Sequence, residues 1–218
     1  MGFFITFEGI EGCGKSTQVR RAAERLTTAG YEVVVTREPG GCPIADAIRA
    51  ILLDARNNAM VPMAELLLYA AARAQHVSEV IEPALNAGKI VLCDRFTDST
   101  LSYQGFGRKL DRELISHLNI LAAGTIRPNL TVLLDCPVET GLSRAMARIN
   151  AGSAAREERF EQESLLFHQR IRDGFLSLAA AEPGRFVVLD GSRGIEETET
   201  LVAKAIRSRL PAPPKGVR

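Results

Sequence analysis

Residues 3–17, FFITFEGIEGCGKST, decide the fold. A short apolar run from Phe3 to Phe7 stops at Glu8 and opens directly into a glycine-rich loop. The run is aromatic, β-branched and too short for a core helix, so it reads as a strand. Gly9-Ile10-Glu11-Gly12-Cys13-Gly14-Lys15-Ser16 matches GxxxxGK[ST]. Such glycines let successive backbone N–H groups curl around an anion, and the helix that follows offers its positive N-terminal end. Lys15 is expected to reach the β/γ-phosphates and the Ser16 hydroxyl to bind Mg²⁺. The whole loop, with Gly9, Ile10, Glu11, Gly12, Cys13, Gly14, Lys15, Ser16 and Thr17, is the expected ATP site. Glu11 is out of character there, because a carboxylate repels phosphate. The backbone N–H groups and Lys15 can hold ATP without it, so its side chain is expected to point toward a second substrate.

Further apolar runs follow at 32–36 (EVVVT), 90–94 (IVLCD), 130–135 (LTVLLD) and 186–190 (FVVLD). Helical patterns separate them, at 15–29, 43–54, 63–87, 111–123, 137–149, 158–180 and 194–210. Pro83 is expected to bend the long third pattern. Near-continuous apolar strands alternating with helices predict an α/β architecture of the P-loop NTPase kind, with helices on both faces of a parallel sheet. Residues 150–157 (NAGSAARE) are small and polar and read as a mobile loop. The expected organisation is one domain over 1–210, a lid at about 144–161, and a Pro-rich tail at 211–218.

The chain has 218 residues, 46% apolar and 24% charged, with a net charge of +1. That balance offers no broad field for nucleic acid or membrane. No apolar run approaches the roughly 20 residues of a membrane span, and the N-terminus lacks a signal-peptide layout. Cys13, Cys42, Cys93 and Cys136 are widely spaced, with no CxxC pair. They suggest neither zinc nor a disulfide framework, and a cytoplasmic protein with reduced thiols is expected.

In an open parallel sheet, ligands bind beyond the carboxyl ends of the strands. The second strand leads there into TREPGG, with Arg37, and the third ends in Asp94-Arg95. Asp94 is placed to hold Mg²⁺ or its waters. Arg37 and Arg95 together suit a second anion, since guanidinium groups bind phosphate bidentately; structural pairing with Glu38 and Asp94 is the alternative. Tyr69 and Arg73 lie four apart and share a helix face, which suits stacking on, and hydrogen bonding to, a nucleobase; a core tyrosine is the plainer reading. Ser99, Thr100, Tyr103 and Gln104 could line a polar pocket or merely cap a helix. Arg144, Arg148, Arg156 and Arg159 flank the loop at 150–157. They form either a solvated face or a basic lid that steadies a transferring phosphoryl group and excludes water.

FEGIEGCGKST, TREPGG, LLLYAAARAQH, DRFTDSTLSYQG and ERFEQES together resemble bacterial thymidylate kinases, over about residues 3–190. The resemblance implies phosphoryl transfer from ATP to dTMP with Mg²⁺, a five-stranded parallel sheet and a homodimer. It implies that Tyr69 stacks on thymine, where the family more often has Phe, and that Arg73 hydrogen-bonds the base. Arg37 and Arg95 would hold the dTMP phosphate, and Ser99, Thr100, Tyr103 and Gln104 would surround the base and sugar. Glu11 would accept a hydrogen bond from the sugar 3′-hydroxyl. Arg144 and Arg193 would lie near adenine. The loop carries no basic residue among Ile10, Glu11, Gly12 and Cys13. It therefore resembles the kind of family member whose lid supplies the transition-state arginines, here Arg148, Arg156 and Arg159, beside Lys15 and Arg95. Another nucleotide or deoxynucleoside kinase is one rival. A P-loop protein that binds nucleotide without turnover is another, although Lys15, Ser16, Asp94 and Arg95 form a full catalytic set.

Overall fold

The structure, a computed structural model, describes residues 2–150, 159–160 and 163–211. Residues 151–158 of the expected lid, Arg156 among them, and 212–218 of the expected tail lie outside the described residues. Strands form where the apolar runs stood: β1 (Phe3–Glu8), β2 (Val33–Arg37), β3 (Ile90–Asp94), β4 (Leu130–Asp135) and β5 (Phe186–Asp190). They build one sheet in the order β2-β3-β1-β4-β5, every pair parallel. The second strand starts one residue later than its sequence pattern.

The helices are α1 (Lys15–Thr28), α2 (Pro43–Leu53), α3 (Pro62–His76), α4 (Glu82–Asn86), α5 (Thr97–Thr100), α6 (Arg112–Ala123), α7 (Val138–Asn150), α8 (Leu165–Ala181) and α9 (Ile195–Arg207). Ile5, Phe7 and Leu92 share a buried cluster with Val19 and Leu26 of α1 and Val202 and Ile206 of α9. The intervening Phe4, Val91 and Cys93 pack with Val77, Ile81 and Leu85 in another. Successive strand residues point to opposite faces, so the two clusters place helices on both faces of the sheet. The central strands are almost wholly buried, whereas the edge strands β2 and β5 expose Val35 and Val188.

Three stretches depart from the sequence pattern. The helix expected at 63–87 widens into a π segment, Val77–Ile81, between α3 and α4. Pro83 lacks an N–H, and its ring clashes with the carbonyl four residues back, at Glu79; the wide turn coincides with that site. The helix expected from 158 starts only at Leu165, where the Ser164 hydroxyl accepts from Phe167 N at 3.2 Å and caps it. Residues 97–107, whose polar groups suggested a pocket or a cap, form α5 and a π segment, Leu101–Gly107.

β1 lies between β3 and β4, so the sheet changes its direction of winding there and the crevice opens at the end of β1. Backbone holds this crevice shut on one side. Gly12 has φ +67°, and a Cβ on it would stand 1.9 Å from the Gly141 carbonyl oxygen; one on Gly141 would stand 2.5 Å from that of Glu11. Two glycines therefore let α7 rest directly on the phosphate loop.

Glu8 ties the other side. It is fully buried and accepts from Phe96 N at 2.8 Å and Ser99 Oγ at 2.6 Å. Burial, and then the nearby Asp98, push its carboxyl from 4.5 up to about 8. The folded chain thus keeps a proton that the unfolded chain releases. This stabilisation is complete below about pH 4.5 and is lost as pH rises through about 8. Glu8→Gln cannot ionise, so its melting temperature relative to the native chain is expected to climb from about pH 5 to about pH 9. A constant difference across that range would contradict this assignment.

Candidate active site

A cavity of about 490 Å³ opens at the carboxyl ends of β1, β2 and β3. On its floor the phosphate loop turns on three positive-φ glycines, Gly9, Gly12 and Gly14. Lys15 Nζ donates to the carbonyls of Gly9 at 3.0 Å and Ile10 at 2.8 Å. Ile10 and Cys13 turn into the core, leaving Glu11, Gly12, Lys15 and Ser16 to line the cavity. Gly14 caps α1 in a left-handed conformation, and Thr17 sits in its first turn. Ser16 Oγ donates to Asp94 Oδ2 at 2.5 Å, which brings a hydroxyl and a carboxylate, both hard oxygen donors, to one point.

Arg95 follows β3 with φ +72°, unusual for a side-chain-bearing residue and characteristic of over-determined functional positions. Its Nη1 donates to the Gly9 carbonyl at 3.0 Å and to Ser99 Oγ at 3.2 Å, and its Nη2 to Glu11 Oε1 at 3.0 Å. Its guanidinium lies 4.9 Å from the centre of the Tyr103 ring. The Tyr103 hydroxyl also donates to Glu11 Oε1. Burial alone would push the Glu11 carboxyl up, but the approach of His168 and the charges of Arg95 and Lys15 hold it well below the usual carboxylate range. Burial pushes the Tyr103 phenol well up and Glu11 adds to it, so the hydroxyl stays a donor.

Tyr69, Arg73 and Gln104 belong to a second network. Tyr69 and Arg73 both line the cavity, from one face of α3. Arg73 is buried and donates to Glu38 Oε2 at 2.7 Å, Asn119 Oδ1 at 2.6 Å and Thr100 Oγ1 at 2.9 Å. Burial pushes the Tyr69 phenol up, as does nearby Glu65. Gln104 Nε2 donates to Glu65 Oε1 at 2.7 Å. Arg37 lines the cavity but pairs with Asp46 at 3.3 Å, while Glu38 serves Arg73 and His76. The alternative pairings of Arg37 with Glu38 and Arg95 with Asp94 are therefore not the ones formed.

The lid arginines separate. Arg148, on α7, lines the cavity. Arg159 is buried and held elsewhere: Nη2 donates to Glu65 Oε2 at 2.5 Å and Nε to the Leu52 carbonyl at 2.7 Å. It does not line the cavity; the structure shows it anchored to Glu65 and the Leu52 carbonyl. Arg144 donates to the carbonyls of Gly191 at 2.9 Å and Ser192 at 2.8 Å, and Arg193 pairs with Asp190 and Glu197. Both therefore border the turn after β5, and neither lines the cavity. Sequence patterns did not single out Arg49, Leu53, Phe96 and Phe160, which also line it; Arg49 lies on the amphipathic α2 and reads as one more surface charge.

Breaking a buried pair costs roughly 3 kcal/mol. Arg159→Met is accordingly expected to lower the melting temperature by several degrees, whereas Arg148→Met is expected to lower turnover. Calorimetry and steady-state rates on both variants check this; the reverse pattern would return Arg159 to the chemistry.

Comparison with known proteins agrees with this geometry. The sequence model of the family described as thymidylate kinase matches residues 7–202. The chain is 72% identical over 211 residues to the thymidylate kinase of Geobacter sulfurreducens, covering 97% of this chain and 99% of that one. It is 58% identical over 197 residues to that of Syntrophotalea carbinolica, covering 90% and 91%. The crystal structure of thymidylate kinase from Ehrlichia chaffeensis superposes with a TM-score of 0.76 at 34% identity, covering 94% of this chain and 98% of that one. A phosphate loop joined to an arginine-rich cavity, with a family match over most of its length, places this chain in the thymidylate kinase family.

Proposed function

We propose a division of labour for the ATP-dependent phosphorylation of dTMP, the reaction of this family. The observation that carries it is one shared acceptor: the Gly9 carbonyl takes hydrogen bonds from Lys15 Nζ and from Arg95 Nη1, each at 3.0 Å. Two cations of separate elements are thus no further apart than those two contacts combined. Lys15 and the loop N–H groups bind the ATP phosphates, with Arg144 and Arg193 bordering the adenine. Arg95, with Arg37 at the rim, binds the phosphate of dTMP. Tyr69 stacks on thymine, and Arg73, Thr100 and Gln104 address its edge. Ser99 steadies Arg95. Glu11, gripped by Arg95 and Tyr103, accepts from the sugar 3′-hydroxyl, and a phosphate there would meet repulsion.

Ser16 and Asp94 would hold Mg²⁺. Among the described residues no group of three or more His, Cys, Asp or Glu could hold a metal, and Mg²⁺ carried in by nucleotide phosphates needs only one or two carboxylates. When bound, it neutralises charge on the phosphates. The acceptor is already an oxyanion, so base catalysis has little to add. Positioning and electrostatics carry such reactions, with Arg148 the described lid arginine that faces the transferring group. We take 1–210 as one kinase domain, with 144–161 as its lid.

Ile51 of α2, Met63 and Leu67 of α3 and Leu121 of α6 are exposed on helices that pack together. We assign a second copy of the chain to that face, and sedimentation velocity should return a dimer rather than a monomer. All four cysteines are free and buried, which suits the reducing cytoplasm. Among the described residues no helix is long and apolar enough to cross a membrane.

Arg95→Ala is expected to lower kcat/KM for dTMP by about 10²–10³ while the Kd for ATP stays within about threefold. Unchanged kinetics for dTMP would remove Arg95 from the acceptor site.

A further inference from the structure

Two buried polar atoms face each other in this molecule and have no other aligned partner among the described residues. Glu11 Oε2 and His168 Nδ1 are both shut off from solvent, and they lie 3.3 Å apart. The distance is short enough for an ion pair or a hydrogen bond, but the two groups are not aligned as a hydrogen bond. The other oxygen of Glu11 is already committed, to the Tyr103 hydroxyl and to Arg95 Nη2. Across the imidazole, Nε2 lies 3.0 Å from the Phe160 carbonyl oxygen. A carbonyl only accepts, so Nε2 bears hydrogen and donates. Both ring nitrogens therefore face oxygen acceptors, and Nδ1 holds the carboxylate when it too bears hydrogen.

His168 sits in the first turn of α8 and is fully buried, and its ring meets that of Phe167 edge-on at 5.6 Å. Glu11 and Phe160 line the cavity, but His168 does not. It can reach a ligand through those two neighbours. The Phe160 ring in turn meets that of Tyr103, the second holder of Glu11, at 5.4 Å. The imidazole thus bridges the phosphate loop and the chain just before α8, and it touches the one Glu11 oxygen that Arg95 and Tyr103 leave open.

We propose that His168 is a positioning residue for the acceptor nucleotide: braced on the Phe160 carbonyl, it fixes the Glu11 carboxylate in the orientation that accepts from the sugar 3′-hydroxyl. This rests on the assignment of Glu11 to the acceptor sugar. Contacts of this kind tighten when the reactive complex forms, so the 3.3 Å separation is one that acceptor binding closes.

The test compares dTMP with its 3′-deoxy analogue, which lacks the hydroxyl, in the native enzyme, H168Q and H168N. A Gln amide nitrogen reaches the place of Nε2, keeping Phe160 and losing Glu11. An Asn amide nitrogen stands at the place of Nδ1 and does the reverse. The native enzyme should show a lower KM for dTMP than for the analogue. H168Q should raise the KM for dTMP about tenfold and leave those for ATP and the analogue within about twofold; H168N should keep the native preference. A rise of equal size for dTMP and the analogue in H168Q, or a loss in H168N as large as in H168Q, would assign His168 to packing and overturn the proposal. If H168Q does not fold, H168N decides: native preference supports the proposal and its loss contradicts it. A native enzyme that fails to distinguish the two nucleotides overturns the Glu11 assignment first, and the proposal with it. That failure shows before any substitution is made.

Discussion

The carbonyl of Gly9 is the point on which the site depends. Lys15 reaches it from the first turn of α1, and Arg95 from the residue that follows β3. Two cations converging in a buried place repel each other, so the carbonyl and the Glu11 carboxylate between them hold the arrangement together. The strained φ of Arg95 is compatible with this: its backbone N–H is pinned to the Phe7 carbonyl at 3.0 Å while its side chain turns back over the loop. Such strain persists only where the surroundings over-determine it. The surroundings here are Ser99, Glu11 and the face of Tyr103.

Charge is concentrated in the cavity without being spread over the molecule. Lys15, Arg37, Arg49, Arg73, Arg95 and Arg148 line one space in a chain whose net charge is +1. Each cation that also serves structure has a partner set behind it: Glu38 behind Arg73, Asp46 beside Arg37, Glu11 beside Arg95. The Arg73 pair is buried and the Arg95 pair largely so, where such a network is costly when half-satisfied and rigid when complete, whereas the Arg37 pair is exposed. Glu65 plays the same part below the cavity, where Gln104, Arg108 and Arg159 meet it.

The sheet was legible in the sequence because its central strands are buried on both faces and all five are written as near-continuous apolar runs. β1, β3, β4 and β5 begin and end where those runs do. The phosphate loop was legible because its glycines, lysine and serine are dictated by backbone geometry around an anion. Less could be read where one residue type serves two purposes. Arg159 stands in a run of lid charges, yet it is neutralised by a glutamate 94 positions away on a helix that reads as Ala/Leu core. The helix expected from 158 begins late because Ser164 caps it. Wide turns at Val77–Ile81 and Leu101–Gly107 leave no periodic mark, and they settle where Tyr103 and Gln104 point. His168 had no sequence signal: a lone histidine in an amphipathic helix is an ordinary core or surface residue until its neighbours are known.

The most direct test of the central claim is a crystal structure with dTMP and a non-hydrolysable ATP analogue bound together. The terminal phosphate of the donor should lie on Lys15 and the acceptor phosphate within hydrogen-bond distance of Arg95, with the Gly9 carbonyl between the two cations. An acceptor phosphate seated away from Arg95, or an Arg95 guanidinium swung clear of Gly9 and Glu11, would contradict the account.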